Sequence, residues 1–172
     1  MTCALACSPR PRVSERPRLL LLLLAWLALP SAFAATSVEQ LLATEQPPSG
    51  VVFEIVEGDE DALSTLIPKT RKAIERLRAR FPDIEVAVVS HGREQFALQT
   101  RYQKDYRQIH QGIQSLVQDD VPVHVCGAHA GWYGVTPEDF PEYVDVPASG
   151  PSQIRQYQAL GFELVLIQND DE

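Results

Sequence analysis

Cysteine is scarce in this sequence, and that scarcity is the first constraint on it. Of the three cysteines, Cys3 and Cys7 fall in the first 34 residues, which leaves Cys126 alone in the remainder. A single thiol forms no internal disulfide; in an exported protein it is either reactive or paired between chains, with apolar packing as the bland alternative. Long apolar runs are missing too. The longest, Leu19 to Leu29, has eleven residues, against the ~20 needed to span a bilayer. Positive charge is also in short supply: 15 Lys and Arg stand against 23 Asp and Glu, a net charge of −8. Such a balance provides no electrostatic footprint for nucleic acid or for an anionic membrane. Neither GxGxxG nor the GxxxxGK phosphate loop occurs, and neither CxxC nor HExxH. There is no internal repeat.

What is present begins with a three-part N-terminus. Arg10, Arg12, Arg16 and Arg18 precede the apolar run, and Ala32-Phe33-Ala34 follows it. A basic region, a short apolar core and an A-x-A site form the pattern of a secretory signal peptide. Cleavage is expected near Ala34, and with it a periplasmic or secreted location. Removing the segment leaves 138 residues with 11 basic and 22 acidic side chains, a net charge of −11. That length suits one domain. The expected organisation is a signal peptide over 1–34, a flexible lead-in over 35–50 that ends in Pro47-Pro48-Ser49-Gly50, and an α/β domain over 51–172.

From Val51 onward, β-rich runs alternate with helical stripes. Strands are expected at Val51–Val56, Ile84–Ser90, Val121–Cys126, Tyr143–Val146 and Phe162–Ile167. The first helical stripe runs from Leu63 through Leu66, Ile67, Ile74 and Leu77 to Phe81, with Pro68 either opening the helix or lying within a longer one. The second carries Tyr102, Tyr106, Ile109, Ile113, Leu116 and Val117, with Asp105 and Gln108 as a capping pair. A last helix starts at Gly150-Pro151, turns Ile154, Tyr157 and Leu160 inward, and stops at Gly161. Strands alternating with helices of this length predict a three-layer helix-sheet-helix sandwich around a mainly parallel sheet of about five strands.

In open parallel sheets, ligands bind beyond the carboxyl ends of the strands. Ser90-His91-Gly92, Cys126-Gly127-Ala128-His129 and Ala148-Ser149-Gly150-Pro151 all leave strands there. Cys126 is the candidate catalytic residue, expected at a solvent-reachable rim with its thiol facing a helix start. His91, Gly92, Gly127, His129, Ser149 and Gly150 are the candidate substrate-binding residues, the histidines as stabilisers of a thiolate or as proton relays. His124, Cys126 and His129 form a weaker soft-metal alternative. No Cys-His-Asn or Ser-His-Asp hydrolase set can be assembled from single residues. Thr136-Pro137-Glu138-Asp139 reads as a helix start. For Trp132-Tyr133, core packing is the commoner fate, with a pocket wall or an oligomer contact as the alternatives.

The segment Val123-His124-Val125-Cys126-Gly127-Ala128-His129-Ala130-Gly131-Trp132-Tyr133-Gly134-Val135 resembles the DsrE/DsrF-like family of sulfur-relay proteins. A cysteine at a strand end, small residues after it and a Gly-Val pair eight to nine positions on carry the resemblance. The Ser90-His91-Gly92 loop and Ser149-Gly150-Pro151 … Gly161-Phe162 are similar as well. The resemblance implies a compact α/β fold, a homo-oligomer (trimer or hexamer), and a sulfurtransferase or sulfur carrier that holds sulfane sulfur as a persulfide on Cys126. No cofactor is expected. The partners would be a sulfane-sulfur donor and an acceptor thiol. A non-catalytic oligomeric binding module is the second reading.

Overall fold

The computed structural model describes residues 35–169, so the expected signal peptide lies outside the described residues. Four strands form one sheet: β1 (Gly50–Ile55), β2 (Glu85–Ser90), β3 (Val123–Val125) and β4 (Phe162–Ile167). Their order is β3-β2-β1-β4 and every pairing is parallel. Ile55 sits opposite Ser90 and Ile167, and Ser90 opposite Val125, so all four carboxyl ends line up along one edge.

Helices cover both faces. On one, Val51, Phe53, Ile55, Val86, Val88, Val123, Val125, Val165 and Ile167 pack with α2 (Leu63–Arg80) and α3 (Arg107–Gln118) in a single apolar cluster. On the other, Val52, Ala87, Val89 and Phe162 meet Ile154 and Tyr157 of α5 (Gly150–Ala159). Alternation along each strand explains the division, since successive side chains point to opposite faces. In α2 the buried stripe Leu63, Leu66, Ile67, Thr70, Ala73, Ile74 and Leu77 repeats at helical spacing, and Arg78 and Arg80 stand at its negative end. Pro68 falls inside this helix, so the longer of the two expected helices forms.

The expected fifth strand is reduced to a single bridge between His124 and Asp145. Asp145 N–H donates to Val123 and its carbonyl accepts from Val125; the carbonyls of Pro147 and Ala148 then accept from Gly127 and Ala128. Pro147 has no N–H to return, so the ladder goes no further. The capping pair Asp105/Gln108 does not form. Tyr106 is the N-cap of α3 without a side-chain bond, so Asp105 stands one residue before the cap, its N–H donating to the Tyr102 carbonyl in the preceding turn. The lead-in carries α1 (Val38–Leu42), whose Val38 and Leu41 join the core and whose Glu39 pairs with Arg76 at 2.8 Å. Leu160, expected inward, is 68% exposed. It follows the last turn of α5, where Gly161 at φ +88° reverses the chain. Among the described residues, no helix is long and apolar enough to cross a membrane.

Candidate functional site

The site forms where β3 hands over to α4 (Gly127–Trp132). Cys126 is the N-cap of that short helix, in extended conformation. Its backbone is held at both ends: Cys126 N–H donates to the Gln95 side-chain oxygen at 2.7 Å, and its carbonyl accepts from Ala130 at 3.0 Å. Its sulfur accepts from His129 N–H at 3.4 Å. A backbone N–H aimed at sulfur is a donor ready for a thiolate or for the terminal sulfur of a persulfide.

The thiol is not at an open rim as expected; Cys126 is only 5% exposed. Yet it belongs to neither apolar cluster. Two loops enclose it instead. A Cβ placed on Gly150, the first residue of α5, would lie 2.7 Å from His91 Cβ, 3.1 Å from His91 Cγ and 3.3 Å from Cys126 Cβ. Only glycine leaves room there for His91, and it places both side chains beside the same stretch of backbone. His91 Nε2 in turn binds Glu54 Oε1 at 2.7 Å, with both side chains largely covered.

The other expected residues gather nearby in different capacities. His129 Nδ1–H donates to the His91 carbonyl at 2.8 Å, linking the second loop to the third. Its ring lies edge-on to Phe96, Trp132 and Tyr133, each with centroids 5.5 Å away. Gly92 N–H donates to Glu94 Oε1 at 2.9 Å, and a Cβ on Gly92 would come within 2.5 Å of the Glu57 backbone. Gly127 packs on the Pro147 carbonyl. Ser149 is the N-cap of α5, its hydroxyl accepting from Ser152 N–H at 3.4 Å. Trp132 and Tyr133 are not core residues: they are 81% and 55% exposed, the last residue and the C-cap of a helix only six residues long.

The metal alternative does not assemble. His124 does share the α5 face with Cys126, but its Nε2 binds Tyr157 OH at 2.8 Å and its Nδ1 lies 3.6 Å from Asp145. Burial holds the His124 imidazole below its ordinary proton affinity, opposed by the charge of Asp145. Among the described residues, no group of three or more His, Cys, Asp or Glu is arranged to hold a metal ion. His110 is a second buried imidazole, its Nε2–H donating to the Ala97 carbonyl and its Nδ1 accepting from Tyr143 OH. Burial lowers its proton affinity as well, opposed by the Ala97 bond. A surface cavity of about 180 Å³ between α2 and α3 shares no residue with the Cys126 cluster, while one of about 190 Å³ beside Arg101 is lined by Phe96 and Tyr133, two of the rings packed on His129.

The DsrE/DsrF-like family model matches residues 60–166, which take in β2, β3, the cysteine turn, α5 and nearly all of β4. This chain belongs to the DsrE/DsrF-like family. Among solved structures it is similar to the protein of unknown function MTH1491 from Methanobacterium thermoautotrophicum, at 25% identity and a TM-score of 0.54, over 67% of this chain and 96% of that one. It is also similar to the ychN protein from E. coli, at 16% identity and a TM-score of 0.48, over 69% of this chain and 99% of that one. No curated protein matches it. The family brings a sulfur-relay-related fold. In this DsrE/DsrF-like chain, Glu54 and Gln95 were missed by sequence reasoning. Glu54 leaves a signal, a lone charge in the apolar run Val51–Val56; Gln95 leaves none.

Proposed function

We propose that this protein is an exported sulfur-binding and sulfur-transfer protein that carries sulfane sulfur as a persulfide on Cys126. One observation carries the reading: the only cysteine among the described residues lies at the carboxyl edge of a parallel sheet, with an N–H on its sulfur and the loops bearing His91 and Gly150 around it. Membership of the DsrE/DsrF-like family supports it. Gly92, Gly127, His129 and Ser149 shape or pin those loops and would border the bound donor. Thiolate is the form that attacks sulfur. Export would follow from the N-terminal 34 residues, and a trimer or hexamer would use the exposed Trp132 and Tyr133 as a contact.

The purified protein is incubated with thiosulfate or polysulfide and its intact mass is compared with that of Cys126→Ala. Gain of one sulfur, absent from the mutant and removed by dithiothreitol, is the expected result. The low exposure of Cys126 favours a second reading, a binding module that keeps its cysteine as packing. A thiol inert to both sulfur donors and alkylating reagent in the folded protein would establish that reading and reject the first.

A further inference from the structure

We propose that Glu54 and His91 form a proton-handling pair for Cys126, in which His91 takes the thiol proton and Glu54 is a positioning residue. This deepens the sulfur-transfer reading and rests on it. Glu54 is a charged residue on the α5 face of a central strand, opposite Val89 on one side and Leu166 on the other. A carboxylate in such a place is costly unless it is paired. Its partner is His91 Nε2 at 2.7 Å.

That bond fixes the imidazole. Nε2–H donates to the carboxylate, so the neutral ring carries its lone pair on Nδ1, which has no hydrogen-bond partner among the described residues. Nδ1 is bonded to His91 Cγ, and Sγ is bonded to Cys126 Cβ. Both carbons lie close to one point beside Gly150, 3.1 and 3.3 Å from where its Cβ would stand. A base oriented by an acid beside a nucleophile is the general arrangement for activating a thiol. Charged or titratable groups approach His91 from three directions: Glu54 from β1, Cys126 and His129 from the turn into α4, and Glu94 through its bond to Gly92 N–H. From the α5 start, Ser149, Gly150 and Pro151 add none.

The step balances without an oxidant or reductant. The two groups make no direct hydrogen bond in the free protein; once donor binding brings them within reach, the Cys126 S–H proton moves to His91 Nδ1, and the resulting imidazolium is held by the Glu54 carboxylate. The thiolate attacks the outer sulfur of a sulfane donor such as thiosulfate. One S–S bond forms as the donor's S–S bond breaks, and sulfite leaves with the electron pair. The persulfide anion then remains beside the imidazolium.

The test follows sulfur uptake from thiosulfate, and alkylation by iodoacetamide, in the purified wild-type protein, Glu54→Gln and His91→Asn. Glu54→Gln keeps shape and a hydrogen bond but removes the charge. At neutral pH it should slow both reactions about 100-fold, the usual scale for a positioned base. The deficit should close at about pH 9.5, where an ordinary thiol ionises unaided. A merely structural role would slow the reactions equally at both pH values, and that result, or no slowing at all, overturns the pair. If Glu54→Gln does not fold, His91→Asn is read in the same way. A wild-type protein that alkylates in a Glu54-dependent manner yet takes up no sulfur keeps the pair and rejects only the sulfur chemistry.

Discussion

Replacing Glu94 by glutamine changes one atom in a side chain that is 0% exposed, and the structure says which way stability moves. Glu94 Oε1 accepts from Ser90 Oγ at 2.7 Å and from Gly92 N–H at 2.9 Å, while Oε2 accepts from Glu57 N–H at 2.7 Å. Two of the three donors are backbone N–H groups that cannot rotate away. A glutamine must turn its NH₂ toward one of them. Toward Ser90 and Gly92 it meets the Gly92 N–H; toward Glu57 it meets the Glu57 N–H. Either choice leaves one buried donor facing another, a cost of about 1–3 kcal/mol, and loses charge-assisted bonds at the other side. We expect a total loss of about 2–3 kcal/mol for Glu94→Gln, and about 3–5 kcal/mol for Glu94→Ala, which orphans all three donors and opens a cavity. Urea unfolding at pH 7 with a common slope measures both. A Glu94→Gln variant within about 0.5 kcal/mol of wild type, the range of an ordinary surface change, would show that the three donors do not depend on the carboxylate.

Other outcomes follow from the same contacts. Gly150→Ala places a methyl 2.7 Å from His91 Cβ; it should cost about 1–3 kcal/mol in urea unfolding, and the alkylation rate of Cys126 should change as His91 shifts. Burial holds the proton affinities of His110 and His124 below the ordinary imidazole value of 6.5. The unfolded chain therefore takes up protons first as pH falls, so this contribution is complete above pH 6.5 and is lost below it. Urea midpoints should drop from pH 7.5 to pH 5.5, and replacing both histidines by glutamine should flatten that drop.

Much of the fold was legible because its layers follow side-chain alternation. Val51, Phe53 and Ile55 face one cluster and Val52 the other, a pattern any strand covered on both sides must write into its sequence. Gly150-Pro151 and Gly161 marked the ends of α5 for local reasons: a first-turn proline and a positive φ. The segment around Asp145 was harder. Its composition is that of a strand, but pairing depends on whether every second N–H exists, and Pro147 removes one. Trp132 and Tyr133 misled because burial is a property of the surroundings, and the end of this six-residue helix leaves both side chains exposed. At the site, Cys126, His91 and Gly150 lay in loops whose position at strand ends is readable from the alternation. Glu54 and Gln95 act across 37 and 31 residues of chain, and a pairing at that separation is set by tertiary register, which no local pattern encodes.

The edge of β4 has a guard. Thr36 N–H donates to the Leu164 carbonyl at 2.7 Å and its hydroxyl to the Glu163 carboxylate at 3.1 Å, so one main-chain acceptor on this flank is already taken. Unprotected strand edges invite pairing with other chains. A polypeptide trimmed beyond Thr36 would keep its four strands but free that acceptor, and is expected to stack edge to edge more readily than one starting at residue 35.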